Sequence, residues 1–487
     1  MPPQSQSPSL ASVLVARFLR SNNYNDTLAA FIREAGLPID AGQVGGKDDW
    51  TIEGVLEEKK AFDETVRFER YGEDNESDGL WSAPSPSKPS VVETPSSSNL
   101  LSCSVEPWQE VRDGDREETT SYIVATGADK QLHLFATTTG NEAVRSFSGH
   151  SDSPILSYVS MQNGKYVVMT NMSGQLLLQR GTELLDRRKD HSKYAVKVVA
   201  HEAHDPDSTV WLATAGWDSK VFLYRLRLGA GDDVRLADPV AYIPLASNPE
   251  SLLFVPHPDT NEPILLLARR DSTYLFYYQV ESPPTQPPSP PSGPRECPLL
   301  GRQNLAPHSN AWVAFSPSCL ALSPHDPHLL AVATSTLPHM KVLIVRLLFP
   351  TRDTLDLVTS GPVDTAAAPE TQAFAALSLQ NREDAAILIQ ANTFAPQTAY
   401  STPQVVWRPD GSGVWVNGDD GVIRGVVAKT GKVTALLKDG HQAGSKVRAI
   451  WSGWVSVRRG EKVVREEWLV SGGFDKRLVV WREAEST

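Results

Sequence analysis

Cysteine is scarce: 487 residues hold three, Cys103, Cys297 and Cys319. Three thiols cannot build a disulfide framework, and no CxxC pair is present to hold zinc. A reducing compartment, cytosol or nucleus, is therefore expected. Long hydrophobic runs are also missing. The strongest, Val342 to Phe349, is short and contains Arg346, whereas a membrane-crossing helix needs roughly 18–20 apolar residues. No membrane span is expected, and Met1 to Ser9 has neither the basic nor the apolar region of a secretory signal. Excess positive charge is lacking too. Lys and Arg number 46 against 58 Asp and Glu, a formal net charge of −12. Binders of a phosphate backbone usually present a basic surface that releases counterions, so a nucleic-acid partner is disfavoured. Only a local basic face, with Arg187, Arg188, Lys189 and Lys193, would rescue that reading. No GxSxG, HExxH, P-loop or dinucleotide fingerprint occurs in a suitable context. Catalytic, cofactor and metal residues are accordingly assigned as none, and a non-enzyme is expected.

What is present divides into a helical head, a linker and a long β-rich body. From Leu10 to Arg20 the apolar residues Leu10, Val13, Leu14, Val15, Phe18 and Leu19 form a broad helical stripe, with Ser9 placed as N-cap. A second helix, capped by Asn25 or Asp26, carries Leu28, Phe31, Ile32 and Ala35 at i, i+3, i+4 and i+7, and Gly36 with Pro38 ends it. Two helices of this size bury too little to be stable alone, so the head, residues 7–39, needs a cover, and a second copy of the chain is the simplest. Residues 49–71 read as a helical extension with Ile52, Val55, Leu56, Phe62 and Val66 at helical spacing; Lys59 would fall in the seam of a coiled coil. Residues 72–98, acidic and then rich in Pro and Ser, read as a linker.

Residues 100–483 repeat. Pairs of strand-like runs surround short turns at Asp129, Ser173, Asp218, Asp271, Thr336, Asp420 and Asp475, most of them about 45–55 residues apart, the period of a repeat architecture. Seven units follow, with insertions at 281–298, which is Pro-rich, and 350–384. The fifth unit's outer strand is placed at Ala385 to Thr393. The last unit's outer strand has to come from the segment before Leu100. Ser148-Gly149-His150, Asp439-Gly440-His441 and Leu469 to Trp481, which reads LVSGGFDKRLVVW, resemble WD repeats. The resemblance implies a seven-bladed β-propeller, and a hydrogen-bonded chain through His441, Ser471, Asp475 and Trp481. Phe135, Gln179 and Tyr224 stand where the family has Trp, so those chains are incomplete. Val13 to Glu34 resembles the LisH motif, with Phe18, Leu19, Tyr24, Thr27, Leu28, Phe31 and Glu34 at its positions. Asn23 stands where Gly is usual; Asn tolerates the left-handed backbone better than most residues. This implies dimerisation through Leu14, Phe18, Leu19, Tyr24, Leu28, Phe31 and Ile32.

The expected fold is mainly β, a seven-bladed WD-type propeller preceded by a small helical LisH head. Most of the eleven histidines sit where the repeats disperse them around a ring, so a metal centre is not expected; His201, His204, Asp205 and Asp207 form the one local cluster to examine. In propellers the residue before the turn Asp points outward. Those positions here are Ala128, Trp217, Arg270, Asp419 and Phe474, of which Trp217, Arg270 and Phe474 are the candidate partner-binding residues. The resemblance implies a non-catalytic scaffold that self-associates and binds protein partners in a ubiquitin-ligase or other regulatory complex. The alternatives are a dynein or microtubule-associated regulator of the same architecture, and an enzyme or small-molecule binder that uses the central funnel.

Overall fold

A computed structural model of the chain describes residues 10–43, 51–53, 81–112, 116–203, 208–228, 234–280, 293–307, 315–350, 379–459 and 462–484. They belong to two compact units, Met1–Glu69 and Arg70–Thr487. In the first, helices α1 (Leu10–Ser21) and α2 (Asn25–Glu34) pack on each other. Asn23 has φ +58°, the left-handed turn expected of it, and it reverses the chain. The N-cap of α2 is Tyr24 rather than Asn25 or Asp26. The reason is that the Leu28 N–H already reaches the Tyr24 carbonyl at 2.8 Å, which places both expected caps inside the first turn. Gly36, at φ +63°, ends α2, and the Leu37 N–H bonds back to the Ile32 carbonyl at 3.0 Å, a Schellman-type closure. Residues 38–43 then return along α1, where the Arg20 guanidinium donates to the Ile39 and Ala41 carbonyls at 3.0 and 3.1 Å. The head thus extends past residue 39 to residue 43. The Ser9 cap and the coil over 49–71, apart from 51–53, lie outside the described residues.

Among the described residues the second unit is a ring of seven sheets, six of four antiparallel strands and one of five. The blades are built from residues 100–147, 155–189, 195–244, 249–304, 316–396, 405–437 and 447–482. Each pair of runs read from the sequence supplies the second and third strands of one blade. The first strands touch those of both neighbouring blades and so close the ring around a channel. The hydrophobic core lies between blades rather than in the middle. Trp415, Ile423 and Leu437 of blade six, for example, pack with Ile450, Leu469, Val479 and Trp481 of blade seven. Polar bonds cross the same seams: Trp407 Nε1 donates to the Ala321 carbonyl at 2.8 Å, and the Val198 and Leu320 N–H groups each donate to the preceding blade at 3.2 Å, to Ser157 Oγ and Ser251 Oγ.

The stretch 72–98 is not all linker. Lys88–Val92 is a strand, paired antiparallel with Leu478–Arg482 from Lys88↔Arg482 to Val92↔Leu478, and it completes blade seven. Pro89 within it suits an edge strand, where a missing N–H is tolerated. Within the 281–298 insertion, Arg295–Glu296 pairs in parallel with Ala241–Tyr242 as a fifth strand on blade three, while 281–292 lie outside the described residues. Of the insertion at 350–384, residues 379–386 are helical, and the Asn304 N–H donates to Glu383 at 2.7 Å. Blade five's outer strand is Ile387–Pro396, two residues later than expected.

A buried cation fastens the segment that leads to the closing strand. Arg408, 1% exposed at the end of the first strand of blade six, gives two hydrogen bonds to Glu467 of blade seven, at 3.0 and 2.6 Å. Its remaining N–H groups go to the Ser82 carbonyl and hydroxyl, to Ser412 Oγ and to the Pro84 carbonyl. Trp81 lies under the guanidinium, 4.5 Å from ring centroid to Cζ, and meets Trp415 edge-on. A Cβ on Gly425 would come within 2.6 Å of the Trp81 ring, so that residue is glycine because the indole occupies the space. The segment leading to the closing strand is thus fastened to blades six and seven before the strand begins. Removing one partner of a buried ion pair costs about 3–5 kcal/mol, because the other charge is left uncompensated. Arg408→Met should lower stability by about that amount in urea unfolding, and adding Glu467→Met should restore most of it.

Candidate functional site

The turns between second and third strands and the loops joining successive blades gather on one face of the ring. A repeated backbone bond fixes that face: the N–H of the residue before each turn residue donates to the preceding inter-blade loop. Ala128 reaches Asn99 O at 2.9 Å, Met172 reaches Pro154 O at 3.0 Å, Trp217 reaches Tyr194 O at 2.9 Å, Arg270 reaches Asn248 O at 2.8 Å and Phe474 reaches Lys446 O at 2.9 Å. With the backbone pinned inward, most of these side chains face solvent, although Met172 is half-buried. Ala128, Trp217, Arg270 and Phe474 are exposed. Asp419 is different: half-buried, it accepts from Ser401 Oγ at 2.5 Å and pairs with Lys446 Nζ at 2.9 Å, so it ties loops together instead of projecting.

The turns themselves are held by side-chain chemistry that differs from blade to blade. In blade seven a carboxylate can only accept, so His441 Nδ1–H donates to Asp475 at 3.1 Å. Ser471 then donates to His441 Nε2 at 2.8 Å, and Trp481 Nε1 donates to Ser471 Oγ at 2.9 Å. Burial acts to raise the Asp475 carboxyl, but the bonds from His441 and from the Gln442 and Arg477 N–H groups outweigh it and leave the pKa lowered. Blade three keeps His191 with Asp218 at 3.0 Å and with Thr214 at 2.9 Å, but Tyr224, in the Trp position, turns its hydroxyl to Asp190 at 2.9 Å. In blade one Asp129 bonds His133 at 2.8 Å and Ser96. His150 binds Gln179, at the Trp position of blade two, at 3.1 Å. Asn171 and Gln175 replace the acid–histidine pair of blade two, and Asp420 with Arg424 that of blade six.

Trp217 and Arg270 stand on neighbouring blades and both line the mouth of the central channel, a cavity of about 380 Å³. Phe474 is on the same face but does not line that cavity. Trp217 stacks on Tyr194, ring centroids 5.3 Å apart at 32°, and both rings stay about 40% exposed. Sequence reasoning missed Tyr194 and also Leu337, Phe394 and Tyr400, which join this face with exposures of 66%, 56% and 90% for the last three. They sit in loops and at a strand end, where no repeating motif marks them. In the basic stretch Arg188 pairs with Asp190 at 2.5 Å and Asp238 at 3.1 Å, and Arg187 donates to the His150 carbonyl, while Lys189 and Lys193 are exposed.

Deeper in the channel burial dominates the titratable groups. Burial pushes the Cys103 thiol up to about 12, and raises Cys319 as well, so neither presents a thiolate near neutral pH. Burial also raises Glu106, against a hydrogen bond from Ser104. The Tyr158 hydroxyl is engaged with Ser104 at 2.7 Å and the Val124 carbonyl at 3.0 Å. No histidine lines this cavity. Among the described residues no group of three or more His, Cys, Asp or Glu side chains is placed to hold a metal ion. His201 is stacked beside Phe254, and His204, Asp205 and Asp207 lie outside the described residues.

In the head, of the seven proposed dimerisation residues, only Leu28 is buried. Leu14, Phe18, Leu19, Phe31 and Ile32 are half-buried and Tyr24 is exposed. Leu28, Ala29, Ile32 and Leu37 line an open groove beside Ile39, which is 88% exposed.

Residues 10–43 match the family model described as "UCP007778, LisH domain", and residues 111–285 and 311–482 match the one described as "UCP007778, beta-propeller domain". No curated protein matches the chain.

The blade-seven turn gives a pH-dependent prediction. Because the folded Asp475 pKa is lowered, its stabilisation is complete above the unfolded value of about 3.9 and is lost as pH falls through the lower folded value. Asp475→Ala should therefore cost about 1–3 kcal/mol at neutral pH. In urea titrations repeated from pH 7 down to pH 3, the gap from wild type should shrink in the acid limb.

Proposed function

The chain belongs to the UCP007778 family, and from that premise we propose that it is a non-catalytic, self-associating scaffold whose propeller grips a protein partner on the hairpin-turn face. The observation that carries the reading is the set of apolar side chains held outward on that one face: Trp217 with Tyr194, Phe474, Leu337, Phe394 and Tyr400. Trp, Tyr and Arg are the residue types that dominate interface energetics, and exposed aromatic groups fixed by backbone bonds lose little freedom on binding. Trp217, Arg270 and Phe474 are the proposed contacts.

The head supports the second half of the proposal. Its two short helices leave Phe18, Phe31 and Ile32 half-covered and Tyr24 and Ile39 exposed, so a second head would complete a core that one copy lacks. Two tethered propellers then bind a multivalent partner with avidity and no new contact. Recruitment of a subunit or substrate into a ubiquitin-ligase or other regulatory complex is the role proposed, by analogy of architecture. The three free thiols suit the reducing cytosol or nucleus in which it would act.

Two measurements test this. Light scattering of the full chain should give about twice the 53.2 kDa of one copy, and deletion of residues 9–37 should halve it; a monomeric full chain refutes the head's role. In affinity purification with mass spectrometry, the Trp217, Arg270, Phe474 triple Ala variant should keep its circular dichroism and lose its partner, and an unchanged partner set refutes the face.

A further inference from the structure

The first strands of six blades share an irregularity at the same place. Their register with the second strand slips by one residue at the top of the blade, and the extra residue is Leu101, Leu156, Val196, Glu250, Ser318 or Arg448. A bulge bends the strand and re-aims a side chain, and all six of these residues line the channel mouth. Blade six has the shortest first strand, Val405–Trp407, and Gln404 takes the corresponding place. The ring is two-sided. Blades one to three supply an aliphatic arc, and blades four to seven supply polar and charged groups.

The charges are not balanced pair by pair. Glu250 is committed to Arg270, whose Nε lies 2.6 Å from its carboxylate. Glu106, deeper in the channel, is shifted by burial toward its neutral form. Arg448 makes no hydrogen bond and no close ion pair among the described residues; its electrostatic partner is Glu250, already taken, and burial pulls the guanidinium below its ordinary value. Lys197, on the first strand of blade three, likewise has no hydrogen-bonded partner among the described residues and also lines the mouth. The half-buried Arg448 guanidinium, with no protein acceptor among the described residues, is left to solvent in the channel, and a ligand carboxylate would supply the acceptors it lacks.

We infer that the channel mouth is a receptor for a side-chain carboxylate of the partner protein, presented next to an aliphatic residue in an extended segment: the carboxylate pairs with Arg448, and the aliphatic residue seats on Leu101, Leu156 and Val196. Arg binds carboxylate bidentately, which fixes orientation as well as charge. A cavity of about 380 Å³ accepts a few side chains, not a folded element. Because the chain as a whole carries −12, an acidic segment gains nothing from the general surface and depends on this local site. The inference rests on the partner-binding reading above and specifies its chemistry.

The test is selection from a phage-displayed random dodecapeptide library on the immobilised full chain, with the peptides fused at their C-termini so that only side-chain carboxylates are offered. Peptides taken by wild type should be enriched in Asp or Glu beside Leu, Ile or Val. A selected peptide, resynthesised with both ends blocked, should lose at least tenfold in affinity when its acid is changed to the amide, a comparison that leaves the protein untouched. On Arg448→Gln, checked for unchanged circular dichroism and urea midpoint, acid and amide peptides should bind alike, and Arg448→Lys should restore part of the difference. A wild-type pool without acidic enrichment, or the same enrichment on Arg448→Gln, overturns the inference. Peptides that need Trp217 but ignore Arg448 refute it while leaving the partner-binding face standing; peptides indifferent to Trp217, Arg270, Phe474 and Arg448 alike refute both.

Discussion

A strand from the start of the propeller, Lys88–Val92, finishes the sheet made by the last three strands, and everything on the ring depends on that closure. Without that strand Leu478–Arg482 would be an unpaired edge, and the core between blades seven and one, where Leu100, Ile123 and Phe135 pack with Trp468, Val470 and Val480, would open. Arg408 makes closure cooperative. Its guanidinium bonds Glu467 of blade seven and the Ser82–Pro84 segment together, so the approach to the closing strand and the seam it must cover form as one unit. The buried ion pair is tolerable because every donor is used and Trp81 covers the flat face.

On the opposite side of each blade, different side chains meet the same mechanical need. His441 with Asp475, His191 with Asp218, Ser96 and His133 with Asp129, Gln175 with Asn171 and Arg424 with Asp420 all brace a tight hairpin. The turn geometry demands a buried acceptor with donors around it, and an acid with a histidine is only one way to supply that. Divergence in these residues leaves the backbone bonds of Trp217, Arg270 and Phe474 intact, and those bonds present the outer face. Ladder register is likewise indifferent to which residue occupies a bulge, so the mouth can carry Leu101 on one blade and Arg448 on another without altering the ring.

Much of this was legible in the residues. The helical stripes, Asn23 at the left-handed turn and Gly36 at the stop predicted the head, since local backbone preference and a short-range period suffice for two helices. The recurring short turns, five at Asp and the others at Ser173 and Thr336, located the second and third strands of every blade. The N-cap of α2 was misread, and the closing strand, expected before Leu100, was not located within the Pro- and Ser-rich stretch, because both depend on a partner: a carbonyl four residues away in one case, and an edge more than three hundred residues away in the other.

Periodicity and turn chemistry by themselves determined a two-helix head and seven repeats, and the resemblance to WD repeats implied the outward positions Trp217, Arg270 and Phe474. Tertiary structure alone decided which of these meet. It placed Trp217 and Arg270 at one channel mouth, gave Glu250 to Arg270 and left Arg448 without a hydrogen-bonded partner among the described residues. It also added Tyr194, Phe394 and Tyr400 to the face. The physical reason is that a period specifies where a chain turns, whereas convergence depends on how successive sheets pack and where their ladders slip by a residue, and both are set by contacts between segments far apart in the chain.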